Sequence, residues 1–410
     1  MRFPRALCRL IFGLTFIFSG LVKLLSPVGT SLIMQEYFAA MHLGFLSGIA
    51  LYAGMLLAIC EFTVGMCILL SVRMKVFTTI GFYLTCFFTL LTLYLALFNP
   101  ISDCGCFGEA VHLTNWQTFF KNLILLPCIA LLYFQRKKIT PMAHQAVEWS
   151  FAGLFVLVAT VLWLQCYLYV PMYEFTPYKI GSHISTEDDD ADYVTTFIYS
   201  KDGQRRNFTL DNLPDSTWTY EETVTTMTGV AGKYSDFSIL DSEGNDITPG
   251  LLYSEDAVLI SIYDPARLKA KNWKRIEAFA QKVLAAGADL YVASSVTGAA
   301  IPDSFPYEVG YGDRKLLLTI NRANGGATLF SDSYVSQKWT PASMDDAALD
   351  ELLSEDAETL VLRNAIHSNV LASCLVLGLL LVMILIYYIC KISYKDSSLN
   401  KWRRRIKNEQ

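Results

Sequence analysis

Six apolar runs divide this chain, and each is close to the length that crosses a bilayer. They lie at about 7–25, 48–71, 77–98, 117–134, 149–170 and 369–390. An α-helix needs about 20 apolar residues to span ~30 Å of hydrocarbon, and it satisfies all of its own backbone hydrogen bonds there. With 53% hydrophobic and only 17% charged residues, the chain is too apolar for an ordinary soluble enzyme. The pattern predicts a multi-pass membrane protein with six transmembrane helices.

Lysine and arginine residues collect at one set of span ends, which fixes the predicted orientation. They are Arg2, Arg5 and Arg9 before the first span, Arg73 and Lys75 after the second, Arg136, Lys137 and Lys138 after the fourth, and Lys391, Lys395, Lys401, Arg403, Arg404, Arg405 and Lys407 after the sixth. Cytoplasmic loops carry this excess in bacterial inner-membrane proteins. We therefore expect both termini in the cytoplasm. No small-x-small cleavage site follows the first span, so we expect it to be retained as an anchor.

These spans predict five parts. They are a four-helix transmembrane domain at 1–140, a fifth helix at 147–170, a periplasmic domain at 171–366, a sixth helix at 368–392 and a basic cytoplasmic tail at 393–410. The domain between the fifth and sixth helices has roughly twice as many acidic as basic side chains. Such a charge argues against a nucleic-acid partner. The lipid bilayer and a periplasmic client protein are the partners we expect.

Strand and helix signals in 171–366 predict an α/β domain. They are a hairpin at 193–210, a strand pair at 237–240 and 246–248, a strand at 257–263, a helix at 273–286, a strand at 289–293, a hairpin at 328–330 and 335–339, and a closing helix at 345–353. The order βαβ and then ββα is similar to thioredoxin. A thioredoxin would carry CxxC after the first strand of the βαβ unit, where this chain has Asp264-Pro265-Ala266-Arg267. Since 171–366 has no cysteine, this thioredoxin-like domain can bind a partner but cannot perform thiol chemistry.

The loop after the third span carries two cysteines one residue apart, Cys104 and Cys106, with Gly105 between them. A disulfide that closes so small a ring is strained, and strain makes the bond labile. The pair could exchange electrons on the oxidising side of the membrane, or it could simply stiffen the turn. A third reading adds His112 as a metal ligand, but three ligands leave a soft ion incompletely bound. The five histidines form no ligand-spaced cluster, so we predict no metal site.

An ionisable residue at membrane depth, Glu61, is the other candidate site residue. A carboxylate in hydrocarbon is costly, so it must face the bundle interior, be paired or be neutral. Lys23 is the nearest cation by depth, although a lysine near a helix end also commonly reaches out to the interface. Glu61 is therefore either half of a structural ion pair or a proton-transferring, quinone-contacting carboxyl.

Three motifs in the first 140 residues resemble the DoxX and MauE family of four-helix membrane proteins. They are the Phe-Ile-Phe-Ser-Gly-Leu-Val-Lys-Leu run at 16–24, Glu61 with Gly65, and Asp103-Cys104-Gly105-Cys106-Phe107-Gly108. The resemblance implies a role in maturation of a periplasmic disulfide-rich enzyme, as for MauE, or in quinone-coupled sulfur oxidation, as for DoxX. The bundle is also similar to disulfide-forming quinone reductases, although those use CxxC.

The six-span arrangement as a whole resembles bacterial DoxX-family proteins with a degenerate thioredoxin-like domain. In that group a turn reads Arg-x-Asn-Pro-Gly, whereas Arg322-Ala323-Asn324-Gly325-Gly326 has glycine in place of the proline. Two functions of different classes follow. In the first, Cys104 and Cys106 cycle between dithiol and disulfide, with a quinone as a possible carrier. In the second, the protein is a non-catalytic scaffold or assembly factor whose outer domain binds a partner. The chain has no fingerprint of a hydrolase or nucleotide-binding enzyme.

Overall fold

A computed structural model describes most of the chain. The described residues are 2–101, 104–139, 143–171, 173–184, 193–201, 204–209, 219–227, 234, 237–296, 301–302, 304–346, 349, 353, 359–364, 377–378, 381, 384–385, 387–389 and 392, with backbone only between 193 and 227. They divide into two compact units. The helical unit comprises Met1–Thr176 and Arg363–Gln410, and the sheet unit comprises Pro177–Leu362.

Six α-helices build the described part of the helical unit between residues 2 and 171. They are α1 (Arg2–Leu25), α2 (Pro27–Ala40), α3 (Ala50–Leu70), α4 (Met74–Phe98), α5 (Asn115–Phe134) and α6 (Gln145–Leu168). Among the described residues, all of these except α2 are long and apolar enough to cross a membrane, which gives five candidate spans. The first five predicted spans are thereby confirmed as membrane-length helices. The sixth, at 368–392, lies largely outside the described residues.

Close packing of α1 against α3 organises the unit. A Cβ atom added to Gly20 would lie 2.5 Å from the backbone nitrogen of Phe62, and one added to Gly65 would lie 2.7 Å from that of Ile17. Membrane helices associate through such small residues because lipid supplies no hydrophobic drive between them. Gly20 and Gly65 therefore allow the two helices to come into backbone contact. This close approach brings polar groups of α1 within hydrogen-bonding distance of α3.

Aromatic and aliphatic side chains of α1, α3, α5 and α6 form the core of the helical unit. Phe12, Ile68, Ile129 and Phe155 are fully buried there. The opposite faces of α4 and α6 expose large apolar side chains such as Leu90, as expected of helices that contact lipid. The helical unit therefore has two sets of apolar side chains, one packed in its core and one facing outwards, as expected of helices in a membrane.

The sheet unit contains two separate sheets. A three-stranded antiparallel sheet has the order β2-β1-β3, where β1 is Tyr193–Lys201, β2 is Gln204–Thr209 and β3 is Thr219–Met227. The larger, mixed sheet uses β4 (Ile239–Leu240), β5 (Asp256–Ile262), β6 (Asp289–Ser294), β7 (Gly310–Gly312), β8 (Gly326–Ser331) and β9 (Tyr334–Trp339) in the order β4-β7-β6-β5-β8-β9. Strand β5 is parallel to β6 and antiparallel to β8.

Helices cover both faces of the mixed sheet. They are α7 (Thr248–Tyr253), α8 (Ala270–Ala285) and α9 (Arg314–Ile320). Alternate residues of β5 point to opposite faces, so Leu259 packs with α7 and α9 whereas Ile260 packs with Phe279 of α8. A strand buried on both faces is continuously apolar, which explains the run from Ala257 to Ile262.

The structure confirms the predicted βαβ unit, since β5, α8 and β6 occur in that order and the two strands are parallel. It also confirms the two predicted hairpins, β1 with β2 and β8 with β9. The strand expected at 246–248 is wrong. Asp246 forms only a single bridge to Leu240, and α7 begins at Thr248 with a proline in its first turn, because proline at this position favours the start of a helix. Most of the closing helix predicted at 345–353 lies outside the described residues.

Candidate functional site

The two cysteines of the helical unit lie on the loop that joins α4 to α5. The loop is held at both of its ends. Asn115 is the first residue of α5. Its side-chain Nδ2 donates to Asn99 Oδ1 and to the Ile101 carbonyl, both at 2.8 Å. Thr114 and Gln117 form a reciprocal capping box at the start of α5, which satisfies backbone donors that a helix N-terminus otherwise leaves unpaired. The cysteine loop is therefore tethered at both sides.

The position between the two cysteines requires glycine, both for its backbone conformation and because a side chain would not fit. Gly105 has φ +59°, a left-handed conformation that costs other residues roughly 1–2 kcal/mol. A Cβ atom at this position would also lie 2.6 Å from Cγ2 of Ile33 on α2. Because α2 lies so close over the loop, the phenol of Tyr37 reaches the Cys104 carbonyl at 2.7 Å. Helix α2 thus fixes the turn that carries the pair.

The two thiols differ in exposure and in acidity. Cys104 is 3% exposed, whereas Cys106 is half-buried. A hydrogen bond from the Cys104 thiol to the Cys106 sulfur, aided by the positive charges of Lys121 and Lys23, lowers the pKa of Cys106 from 9.0 to about 6. Burial and the charge of Glu61 act in the opposite direction. The same hydrogen bond, together with burial, raises the pKa of Cys104 far above its usual value. Cys106 is therefore the thiolate of the pair and Cys104 holds the proton.

A buried ion pair lies directly behind the cysteine loop. Lys23 Nζ is 2.7 Å from Glu61 Oε2, and the two side chains are almost completely buried. The same ammonium group donates to Ser19 Oγ at 2.7 Å and to the Cys106 carbonyl at 2.7 Å, so each of its three protons has an acceptor. The expectation that Glu61 faces the bundle interior is confirmed. Lys23 pairs with it and does not extend to the interface.

Ser19 links this ion pair to the loop. Its hydroxyl oxygen lies 2.8 Å from Glu61 Oε2 and 2.6 Å from the Cys106 carbonyl oxygen, and its single proton can be donated to one of them at a time. Three segments that are distant in sequence, around 19–23, 61 and 106, therefore meet in one network. This network ties the backbone of Cys106 to the carboxylate of Glu61.

Two carboxylates flank the cysteines in sequence, and the structure describes one of them. Glu109 accepts a 2.6 Å hydrogen bond from Ser26, and Asp103 lies outside the described residues. Lys121 lies over the ring of Phe107, with its Nζ 4.4 Å from the ring centroid. The positive charge of Lys121 also lowers the pKa of the Cys106 thiol.

The structure does not bring His112 into a ligand set with the cysteines. His112 is exposed. Among the described residues, no group of three or more His, Cys, Asp or Glu side chains could hold a metal ion.

Reasoning from sequence missed four contacts of the site. Ile33 and Tyr37 of α2 lie far from the cysteines in sequence, yet they shape the loop. Thr118 hydrogen-bonds to the Cys104 side chain. Lys23 was considered a partner of Glu61 but not of Cys106. The helical spacing of Ser19 and Lys23, four residues apart and therefore on one face, was the signal that could have joined them to one site.

In the sheet unit, the turn that replaces CxxC contacts the glycine-rich turn before β8. The Asp264 amide donates to Asn324 Oδ1 at 3.0 Å, and Asn324 Nδ2 donates back to the Asp264 carbonyl at 2.6 Å. Gly325, at φ +76°, donates its amide to the Ser261 carbonyl at the end of β5. The two turns that the sequence singled out are thus adjacent, and neither contains a cysteine.

The fold and site define a membrane protein with several apolar helices and a dithiol loop at one end of the bundle. Residues 1–135 match the family described as methylamine utilisation protein MauE, so the helical unit is MauE-like. Residues 193–228, which contain the three-stranded sheet, match a domain of unknown function (DUF8463). No curated protein and no solved structure matches the chain.

Proposed function

We propose that the helical unit is a thiol–disulfide exchange unit in which Cys106 is the attacking and Cys104 the resolving cysteine. One observation carries the proposal, namely that the pKa of Cys106 is lowered to about 6 by the Cys104 thiol and by two lysines. The thiolate is the nucleophile in disulfide exchange, so a lowered pKa activates it at neutral pH. A purely structural cysteine turn has no need of such a thiolate.

The exchange proceeds in two steps that balance. The Cys106 thiolate attacks one sulfur of a client disulfide, which forms a mixed disulfide and releases the client's other sulfur as a thiolate. Cys104 then loses its proton and attacks Cys106, which closes the Cys104–Cys106 disulfide and releases the client as a dithiol. The client gains two electrons and the pair loses two. Run in reverse, the same steps oxidise a client dithiol.

The pair must exchange its electrons with a second redox partner in every cycle. When the pair has reduced a client, another protein dithiol must reduce the Cys104–Cys106 disulfide. When the pair has oxidised a client, we propose that a quinone in the bilayer takes up the two electrons and two protons and restores the disulfide. Glu61 lies one hydrogen bond from Ser19, which in turn reaches the Cys106 carbonyl. We assign to Glu61 and Lys23 a positioning role, because they hold the backbone of Cys106 with fully satisfied hydrogen bonds.

We further propose that the cysteine loop faces the periplasm of a bacterial inner membrane, as the lysine and arginine distribution predicts. The sheet unit then binds the client. Strand order β6-β5-β8-β9, with β5 and β6 parallel and the last two antiparallel, supports a thioredoxin-like domain. This domain has no cysteine, so its contribution is binding. The match of residues 1–135 to methylamine utilisation protein MauE supports the resemblance on which the expected role in protein maturation rests.

A trapping experiment tests the exchange function. In Cys104→Ser the hydroxyl keeps a donor for the Cys106 thiolate but cannot resolve a mixed disulfide. We expect this variant, purified from cells after acid quenching and thiol alkylation, to carry a client in a reducible adduct on Cys106. Cys106→Ser should carry none, and Cys67→Ala, which changes a buried packing cysteine, should behave as wild type.

The scaffold alternative gives different results. A non-catalytic assembly factor would retain its partner in the presence of reductant, and both single cysteine variants would capture the same amount. A pair that remains fully oxidised in cells, whatever the respiratory state, would also contradict the exchange proposal.

A further inference from the structure

A cavity of about 590 Å³ lies in the helical unit, away from the cysteine loop. Residues of the α3–α4 turn, the end of α5 and the start of α6 line it. Helix α4 runs from this cavity to the loop, and its 25 residues rise about 37 Å, at ~1.5 Å per residue. The cavity and the cysteine pair therefore lie at opposite ends of the bundle, and the exchange chemistry does not use the cavity.

The cavity lining is strongly cationic. Its described lining residues include Arg73, Lys75, Arg136 and Lys137, with His144 as a further base and Glu148 as a carboxylate. The ion pairs found among the described residues involve none of the four lysines and arginines. Arg73 instead lies over the ring of Trp149, and its Nε is buried without a hydrogen-bond partner in the described part of the chain. A buried donor of this kind is satisfied when an anion occupies the cavity.

Two helix N-termini open onto the same cavity. Arg73 is the N-cap of α4 and His144 is the N-cap of α6, and neither side chain caps its helix. The first backbone N–H groups of both helices are therefore left for water or a ligand. The positive ends of the two helix dipoles add to the charge of the side chains. Four cationic side chains and two helix ends together favour a multiply charged anion.

The surroundings of the cavity indicate the kind of anion. Its wall includes the apolar side chains of Met74 and Ile139. Helix α6, which begins beside the cavity, exposes Trp149 and, two turns further along the same face, Val156. The volume exceeds what a single phosphate needs and falls within the usual range for small-molecule sites, about 300–1,000 Å³. Basic pockets at the ends of membrane helices bind anionic lipid headgroups.

We propose that this cavity binds a phosphate-bearing anion, and that the phosphodiester headgroup of an acidic phospholipid is its source. The phosphate lies among Arg73, Lys75, Arg136 and Lys137, while the acyl chains lie along the apolar face of α6. A soluble phosphate compound shares the same chemistry, and the experiment distinguishes the two sources.

The test uses the full-length protein purified in mild detergent. Native mass spectrometry and thermal unfolding are measured with phosphatidylglycerol, with phosphatidylcholine, and with inorganic phosphate alone. The variant is Lys75→Gln/Lys137→Gln, because both side chains are exposed and make no structural hydrogen bond among the described residues. The matched control, Lys269→Gln/Lys271→Gln, removes the same charge from exposed positions of the sheet unit.

We expect phosphatidylglycerol to bind and to raise the melting temperature, and phosphatidylcholine to bind much less. The lysine pair variant should bind phosphatidylglycerol about thirtyfold more weakly, since each basic side chain near an anionic headgroup contributes roughly fivefold. The control variant should bind as wild type, and its melting temperature without lipid should match that of the cavity variant. Inorganic phosphate at millimolar concentration could also stabilise the wild type but not the Lys75→Gln/Lys137→Gln variant. That result would show that the cavity binds anions and that a soluble phosphate compound is their source.

Two results would overturn the proposal. One is equal affinity of wild type and cavity variant for phosphatidylglycerol, and the other is no preference for phosphatidylglycerol over phosphatidylcholine together with no effect of phosphate. If the double variant fails to fold, Lys75→Gln and Lys137→Gln are tested singly, and each should bind about fivefold more weakly.

Discussion

Replacing Lys121 by glutamine tests whether the thiolate at Cys106 is held by charge. Lys121 is the larger of the two lysine contributions that lower the pKa of Cys106 to about 6. An opposite charge near a titrating group shifts its pKa by about 1–3 units, which is roughly 1.4 kcal/mol per unit. We therefore expect the Cys106 pKa to rise to about 7 or above in Lys121→Gln.

A higher pKa makes the Cys106 thiol less reactive at low pH and more reactive at high pH. At pH 6 the thiolate fraction falls from about one half to about one tenth when the pKa rises by one unit. A more basic thiolate is intrinsically more nucleophilic, by about threefold per unit. Alkylation of Cys106 should therefore be about twofold slower in Lys121→Gln at pH 6 and about threefold faster at pH 9. Reactivity of the wild type should be lost as the pH falls through about 6.

Peptide-level mass spectrometry makes the measurement possible in a chain with ten cysteines. The rate of iodoacetamide labelling of Cys106 is followed from pH 5 to 10, and the midpoint of the profile gives the pKa. Lys121→Arg, which keeps the charge, is the control and should keep the wild-type midpoint. The same midpoint in Lys121→Gln and wild type, or a wild-type midpoint near 9, would refute the electrostatic argument and remove the observation that carries the exchange function.

Two further predictions concern the supports of the site. Glu61→Leu leaves the Lys23 ammonium buried without its counter-charge and should lower the unfolding free energy in detergent by about 3–5 kcal/mol. The double variant Lys23→Met/Glu61→Leu removes both charges, and its unfolding free energy should lie within about 2 kcal/mol of wild type. Equal losses in the two variants would contradict the pairing. Gly105→Ala should lose about 1–2 kcal/mol and most Cys106 labelling, because its φ is positive. Adding Ile33→Ala removes the contact with the new methyl group and should restore part of the labelling but not the full stability.

The helices of the membrane unit could be predicted from sequence because the bilayer sets one length for all of them. Predicted and observed bounds of the second span, 48–71 and Ala50–Leu70, differ by only one or two residues. Helix α2 begins at Pro27, a start that cannot be found in this way. It is shorter than a span, so hydrophobic length gives no information on where it starts.

The candidate site could be predicted only in part, because its contacts join distant segments. The Cys104 and Cys106 pair and the carboxylate Glu61 stand out by residue type and by depth. That Lys23 reaches the carbonyl of Cys106 depends on the rotation of α1 against α3, which close glycine packing determines and a hydrophobic run does not. The unequal acidity of the two thiols depends on burial and on one hydrogen bond, and neither can be read from a Cys-Gly-Cys sequence.

Reporter fusions test the orientation on which the periplasmic exchange reaction depends. Helix α4 is about 37 Å long at ~1.5 Å per residue. Reporters fused at residues 74 and 104 must therefore lie on opposite sides of any membrane that the helical unit crosses. Positive charges near 74 and 138 predict that these two sites, and residue 400, read cytoplasmic, while 104 and 250 read periplasmic. The same side at 74 and 104 would contradict α4 as a span. A periplasmic reading at 400 would mean that the segment after the sheet unit does not cross. A cytoplasmic reading at 104 would place the dithiol in a reducing compartment, where a pair of this kind has no disulfide-forming role.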